Sequence, residues 1–201
     1  MRRMTVIASG LSALLALATP AAAATPITLA SARVALDGTS NFHEFTAATT
    51  DVRLTAVAVD GMAPGDPIER ALQPGALKVF EVVVAAATLK SPKDGIDKNM
   101  HKALRVQMYP EIRFRLQSLT AVGDSAYQAL GTLTIDSVDK EVALDLRVQR
   151  KGTAQLAVTG TTDIVMTDFG VAPPKAMMGM LKTNPLVHIT LELVLDSSPV
   201  S

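Results

Sequence analysis

Apolar and polar residues alternate strictly over several stretches of the chain. Ile112, Phe114 and Leu116 alternate with Glu111, Arg113 and Arg115, and Val142, Leu144, Leu146 and Val148 with Glu141, Ala143, Asp145, Arg147 and Gln149. Near the C-terminus Val187, Ile189, Leu191, Leu193 and Leu195 fall on one face, with His188, Thr190 and Glu192 on the other. A period of two places successive side chains on opposite sides of a strand, so each stretch predicts a strand with one dry and one wet face. Such strands belong to antiparallel sheets with one solvated side. Further strands are predicted at Ile27–Leu36, Asp51–Val59, Ala76–Ala86, Tyr127–Ile135 and Gln155–Met166, about eight in all. Asp136-Ser137-Val138-Asp139 sits between two alternating runs, so Tyr127–Gln149 reads as a hairpin. A sheet of this many strands protects its edges best by closing on itself, and the expected fold is all-β, a closed antiparallel barrel.

One stretch departs from the period of two. From Asp94 to Val106, Ile96, Met100, Ala103 and Leu104 recur at helical spacing while Asp97, Lys98, Lys102 and Arg105 fill the other face. Ser91 or Asp94 is placed to cap its start, and Tyr109-Pro110 ends it. The pattern predicts one short amphipathic helix over an end or side of the barrel. Asp60–Gly75, punctuated by Pro64, Pro67, Pro74, Gly61, Gly65 and Gly75, is expected to be a loop.

The N-terminus follows a different logic. Arg2 and Arg3 precede a mostly apolar run from Met4 to Leu17, then Pro20 and the small residues Ala21–Ala24. These are the three parts of a secretory signal peptide. The expectation is a signal over residues 1–24, cleavage near Ala24, and a mature domain over 25–201 that is soluble and periplasmic or secreted. Pro20 and the interspersed hydroxyls argue against a retained spanning helix, which needs about 20 predominantly apolar residues.

Composition narrows the chemistry. With no cysteine there is no disulfide, thiolate nucleophile, cysteine metal site or lipidated thiol at the cleavage point, hence no stable membrane anchor of that kind. The core alone must hold the fold, and a domain of this size buries roughly 70% of its unfolded surface. Formal charge is zero, and loss of Arg2 and Arg3 leaves the mature domain near minus two. Nucleic acid, which selects concentrated Lys and Arg, is therefore not expected as a partner. Hydrophobic residues make up 48% but aromatics only 3%, with nine Met and no Trp, so the interior is aliphatic and methionine-rich.

Arrays of reactive groups are scarce. There is no G-x-S-x-G elbow, and nothing orders the serines and aspartates around His43, His101 or His188. No histidine pair has metal-ligand spacing, and no metal site is assigned. Asp168-Phe169-Gly170 matches the kinase triplet in letters only, since the glycine-rich loop, strand lysine and catalytic loop are missing. His43 lies between Phe42 and Phe45, where it could line a pocket mouth or orient a turn. Met177, Met178 and Met180, with Met166 nearby, read as pocket lining, as core, or, with less support, as soft Cu(I) ligands.

Several segments in order resemble the YceI-like family of exported bacterial polyisoprenoid-binding proteins. They are Thr39-Ser40-Asn41-Phe42-His43-Glu44-Phe45, Leu89-Lys90-Ser91, Tyr109-Pro110-Glu111-Ile112-Arg113-Phe114, Gly131-Thr132-Leu133-Thr134-Ile135 with Val138 and Lys140, Asp168-Phe169-Gly170, and the final alternating strand. The resemblance runs from about Ala30 to Leu195. It implies an extended, lipocalin-like antiparallel barrel around a long isoprenoid chain. Family members often carry Gly and Pro around the hairpin, where this chain has Ser137 and Glu141, and a basic residue before the Asp-Phe-Gly triplet, where it has Met166-Thr167. No headgroup contact carries over at that position.

An isoprenoid tail offers no hydrogen-bonding groups, so holding it requires apolar area and exclusion of water. The expected function is a non-enzymatic, exported lipid-binding protein for carriage or sequestration, with an apolar polyisoprenoid-type lipid as ligand and no cofactor. The alternative is a filled barrel acting through its surface as an interaction or stress-accessory module. Candidate ligand-binding residues are Phe42, His43, Phe45, Phe114, Met166, Phe169, Met177, Met178 and Met180, with the Pro173–Leu181 segment closing over or lining the cavity. No catalytic residue and no oligomeric state are assigned.

Overall fold

The computed structural model describes residues 27–58, 67–176 and 180–197. The expected signal segment lies outside these residues. Among the described residues ten strands occur: β1 (Thr28–Ser40), β2 (Glu44–Thr49), β3 (Val52–Ala58), β4 (Leu77–Ala85), β5 (Glu111–Ala121), β6 (Ala126–Ile135), β7 (Val138–Lys151), β8 (Gln155–Val165), β9 (Lys175–Ala176) and β10 (Leu181–Asp196). Helices α1 (Pro67–Ala71) and α2 (Asp94–Ala103) complete the fold with short 3-10 turns at Ala86–Thr88 and Met166–Phe169. No described helix is long and apolar enough to cross a membrane.

Nine strands form one antiparallel path, β2-β1-β10-β8-β7-β6-β5-β4-β3, with β9 paired to β10. The two ends of that path, β2 and β3, are consecutive in the chain and joined by Thr50-Asp51 alone. A two-residue link brings the outermost strands together at one point, so the sheet must curl. The result is a half-barrel. Among the described residues no ladder runs from β2 to β3; an isolated bridge from Ala48 to Lys90 pairs β2 instead. The all-β, antiparallel expectation is met with one more strand in the path than the roughly eight predicted, and hydrogen-bonded closure is not among its ladders.

The extra strand is β2. Its inward positions are Phe45, Ala47 and Thr49, and alanine carries little strand signal although Ala47 is buried. The segment expected to be loop contains α1, whose Ile68 is buried and whose Glu69 pairs with Arg150 at 2.9 Å. The predicted helix is shorter than expected: it stops at Ala103, and Arg105 turns the chain at φ 48°. That turn aims the Arg105 guanidinium at Asp136, whose buried carboxylate accepts two bonds of 2.8 Å from Nε, while the guanidinium lies 4.8 Å from the Tyr109 ring centre. Asp136 and Ser137 form the whole β6–β7 turn with φ of 54° and 66°. A two-residue hairpin turn that follows the sheet twist requires left-handed backbone at both positions, and here non-glycine residues adopt it.

Inward residues form two clusters. One, toward α1, includes Val82, Leu144, Leu156, Val158, Leu193 and Leu195; the other, toward α2, includes Ile135, Ile164, Phe169, Val171 and Val187. The outward face of β4 and β5 carries charge instead, with Glu81 and Glu111 pairing to Arg53, Arg113 and Arg115.

Candidate lipid-binding site

The α2 end of the interior holds an apolar cavity of about 90 Å³ whose lining contains a single polar residue, Thr183. The inner faces of β1, β5, β6, β8 and β10 form its wall, and four further segments close it. The Asp168-Phe169-Gly170 triplet forms the end of a 3-10 turn: Gly170, at φ 71°, lets the chain reverse, and Val171 N–H donates to Met166 O at 3.1 Å. The reversal leaves Asp168 exposed and drives Phe169 inward to 2% exposure, so the motif is a packing device. Leu89 enters from another side, fixed by paired backbone bonds between Lys90 and Ala48 of 2.8 and 2.9 Å.

Helix α2 supplies Met100 and Ala103, and its C-cap residue Leu104 follows them. It is anchored at both ends. Ser91 N–H donates to the Asp97 carboxylate at 2.7 Å, and a His101 ring nitrogen lies 2.8 Å from Leu89 O. Burial raises the pKa of the Asp97 carboxyl, but hydrogen bonds from Ser91 and the charges of Lys90 and His101 outweigh it and hold the group below the usual range. A charged carboxylate therefore fastens the start of the helix that roofs the cavity.

The fourth segment is the β1–β2 turn. Ser40 Oγ donates to His43 O at 2.8 Å and accepts from His43 N–H at 3.1 Å, closing the turn on itself. Asn41 ties it to the start of β10: its Nδ2 donates to Met180 O and its Oδ1 accepts from Lys182 N–H, each at 2.8 Å. Phe45 follows, with its ring laid on Gly38 across the strand pair; a Cβ on Gly38 would fall 2.4 Å from Phe45 Cζ. Only glycine leaves the ring that seat.

Outside the cavity is a mouth of about 310 Å³ that includes His43, Lys93, Ile96, Asn99 and Leu181. Mouth and cavity share Phe45, Met100, Pro174 and Thr183, so they meet at one ring, one thioether, one proline and one hydroxyl-bearing side chain. Polar groups stand at the opening and apolar ones behind it. A larger depression of about 530 Å³ lies on the outer face and includes Asp37, Glu44, Asp163 and His188. There His188 Nδ1 lies 2.7 Å from Asp163 Oδ1, and the depression's size alone does not make it the site.

The structure brings together some of the candidate residues. Phe45, Met166 and Phe169 line the same cavity, and His43 stands at its mouth. Phe114 lines a separate cavity of about 60 Å³ at the α1 end. Phe42 and Met180 are more than half exposed and line neither cavity. Met177 and Met178 lie outside the described residues. Met100 and Ala103 of α2 and the C-cap Leu104 also line the cavity; their helical spacing marks an apolar face in the sequence but not a site. Among the described residues no group of three or more His, Asp or Glu is arranged to hold a metal ion.

The architecture is a curled antiparallel sheet whose apolar cavity under α2 meets a polar-rimmed mouth. The chain belongs to the YceI-like domain family, whose model matches residues 27–195. No curated protein matches the chain in sequence. Its fold is similar to Burkholderia cenocepacia BcnA (TM-score 0.65, 15% identity, 81% of this chain and 95% of that one). It is also similar to a polyisoprenoid-binding domain from Saccharophagus degradans implicated in plant cell wall breakdown (0.64, 13%, 87% and 99%). The Campylobacter jejuni YCEI protein matches at 0.55 and 13% identity over 98% of this chain and 99% of that one. At these identities the likeness shows the fold.

Proposed function

We propose that this chain binds an apolar lipid of the polyisoprenoid type, tail first, through the mouth between the β1–β2 turn, α2 and the start of β10, and carries or sequesters it without covalent chemistry. The observation that carries the reading is the change of lining from His43, Lys93 and Asn99 outside to hydrocarbon and thioether side chains inside. Apolar pockets with a few polar groups at one end bind by burying area and orient the ligand by its polar end. At about 25 cal/mol per Å², burying ~200 Å² of tail contributes about 5 kcal/mol before ordering costs. The similarity to a polyisoprenoid-binding domain supports this class of ligand. Closure of β2 toward β3 around a bound tail belongs to the same proposal.

The small cavities favour a second reading, a filled barrel that acts through its surface. Native mass spectrometry of protein purified from its own host separates the two: an added mass in the range of a prenyl lipid supports binding, and an apo mass with no uptake of added lipid supports the filled barrel. The proposed route to that lipid is export, with the signal removed near Ala24. The same spectrum tests it, since a mature mass starting near Thr25 is expected and an intact Met1 terminus in the membrane fraction contradicts it.

A further inference from the structure

The apolar interior is divided, and the division runs as one layer across five strands. On β5, Ile112 faces the cavity near the mouth and Phe114, two residues on, faces the far one; on β10 the same step falls between Ile189 and Leu191. On β6, Ile135 belongs to the near side and Ala129 to the far side, leaving Leu133 and Gly131 between them. On β8, Ile164 and Val158 bracket Thr162 and Gly160 in the same way. Val142 of β7 packs against both core clusters. The two cavities share no lining residue.

Large side chains fill the space that the glycines of this layer leave. A Cβ on Gly131 would lie 2.4 Å from Phe114 Cζ, and one on Gly160 would lie 2.8 Å from Leu146 Cδ2. Phe114 therefore rests against bare backbone of the neighbouring strand, its ring tip over Gly131 in this layer.

We propose that Phe114 is the residue that sets chain length: its ring, seated on Gly131 in the layer where Val142 packs against both clusters, forms a septum between the near cavity and the far one. This rests on the lipid reading above. An apolar cavity of about 150 Å³ holds benzene; on that scale the near cavity, about 90 Å³, encloses roughly four carbons, and with the open mouth, about 310 Å³, also filled the site reaches roughly sixteen, close to three isoprene units. Further units of a longer chain stay in solvent and add little affinity. The far cavity, closed by Ala71 and Leu72 at α1, becomes available when the Phe114 ring is removed.

The test is a length series of geraniol, farnesol and geranylgeraniol, which have two, three and four isoprene units, each measured by displacement of a fluorescent fatty acid from the purified protein. Each buried methylene contributes roughly fourfold in affinity, so a fully buried isoprene unit gives at least about tenfold. The expected wild-type profile rises by about that factor from geraniol to farnesol and by less than about threefold from farnesol to geranylgeraniol. In Phe114→Ala the last step also rises about tenfold. Phe114→Leu, which keeps an apolar side chain, gives an intermediate rise and serves if the alanine variant does not fold. A wild-type affinity that climbs equally through all three alcohols, or a folded variant that keeps the plateau, overturns the septum and leaves lipid binding standing. Absence of binding by every alcohol overturns both.

Discussion

Replacing Gly131 by alanine tests whether the interior is packed as described. Gly131 is buried on β6, opposite Leu116 on β5 and Val142 on β7. Its new Cβ would meet Phe114 Cζ at 2.4 Å and the Arg115 carbonyl oxygen at 2.5 Å, where carbon contacts normally sit near ~3.5–4.0 Å. The ring can rotate away. The carbonyl is held in the β5–β6 ladder, so backbone must move. Overpacking of this kind costs about 1–3 kcal/mol, against which the conformational advantage of alanine over glycine returns about 0.5–1 kcal/mol. The net loss, centred on ~1 kcal/mol, corresponds to a fall in Tm of roughly 2–4 °C for a domain of this size. Gly160→Ala provides the contrast, because its Cβ meets only side chains, Leu146 Cδ2 at 2.8 Å, Leu144 Cδ2 at 3.5 Å and Leu191 Cβ at 3.7 Å. A leucine end can turn aside, and the expected cost stays near 0.5 kcal/mol or less. Thermal unfolding of both variants followed by circular dichroism checks the ranking. Equal losses, or an unchanged Tm for Gly131→Ala, would refute the argument from fixed backbone.

Asp97 makes a pH prediction. Its folded pKa is depressed, so its contribution to stability is fully present above the unfolded carboxylate value and is lost as pH falls through the folded one. Asp97→Asn is expected to flatten the dependence of Tm on pH below about pH 4 while lowering Tm at neutral pH; an unaltered acid limb in thermal melts contradicts it. A second set of variants separates exposed candidates from lining ones. Phe42→Ser and Met180→Ser should leave stability within about 0.5 kcal/mol and farnesol affinity unchanged, whereas Met166→Ser should weaken that affinity at least about threefold. Equal effects in all three, by the displacement assay, would remove the distinction between rim and cavity.

The strands were legible because their inward and outward faces differ: β5, β7 and β10 alternate hydrocarbon with charge, and their registers keep that alternation on one side of the sheet. β2 was hidden because its inward alanine contributes burial but almost no pattern. The end of α2 was misjudged by about three residues, since the apolar Val106 continues the helical spacing while Arg105 leaves the helix to reach Asp136. For the site, Phe45, Met166 and Phe169 could be picked out as scarce or flexible apolar residues near punctuated turns. Phe114 was grouped with them as one of only five phenylalanines, yet strand direction carries it past Ile112 into the far cavity. Composition ranks residues by type and cannot place them along a strand. Met180 illustrates the same limit: its carbonyl matters to the rim through Asn41, while its side chain is exposed and absent from the cavity lining.

The central claim is that an apolar ligand occupies the cavity under α2. Methyl-labelled methionine observed by NMR during a farnesol titration tests it most directly, because Met100 and Met166 line that cavity while Met108 is 67% exposed elsewhere. Saturable shifts of the Met100 and Met166 methyl signals, with contacts from them to farnesol protons and an unmoved Met108 signal, are predicted. Shifts confined to Met108 and Met180, or none at saturating farnesol, contradict the account.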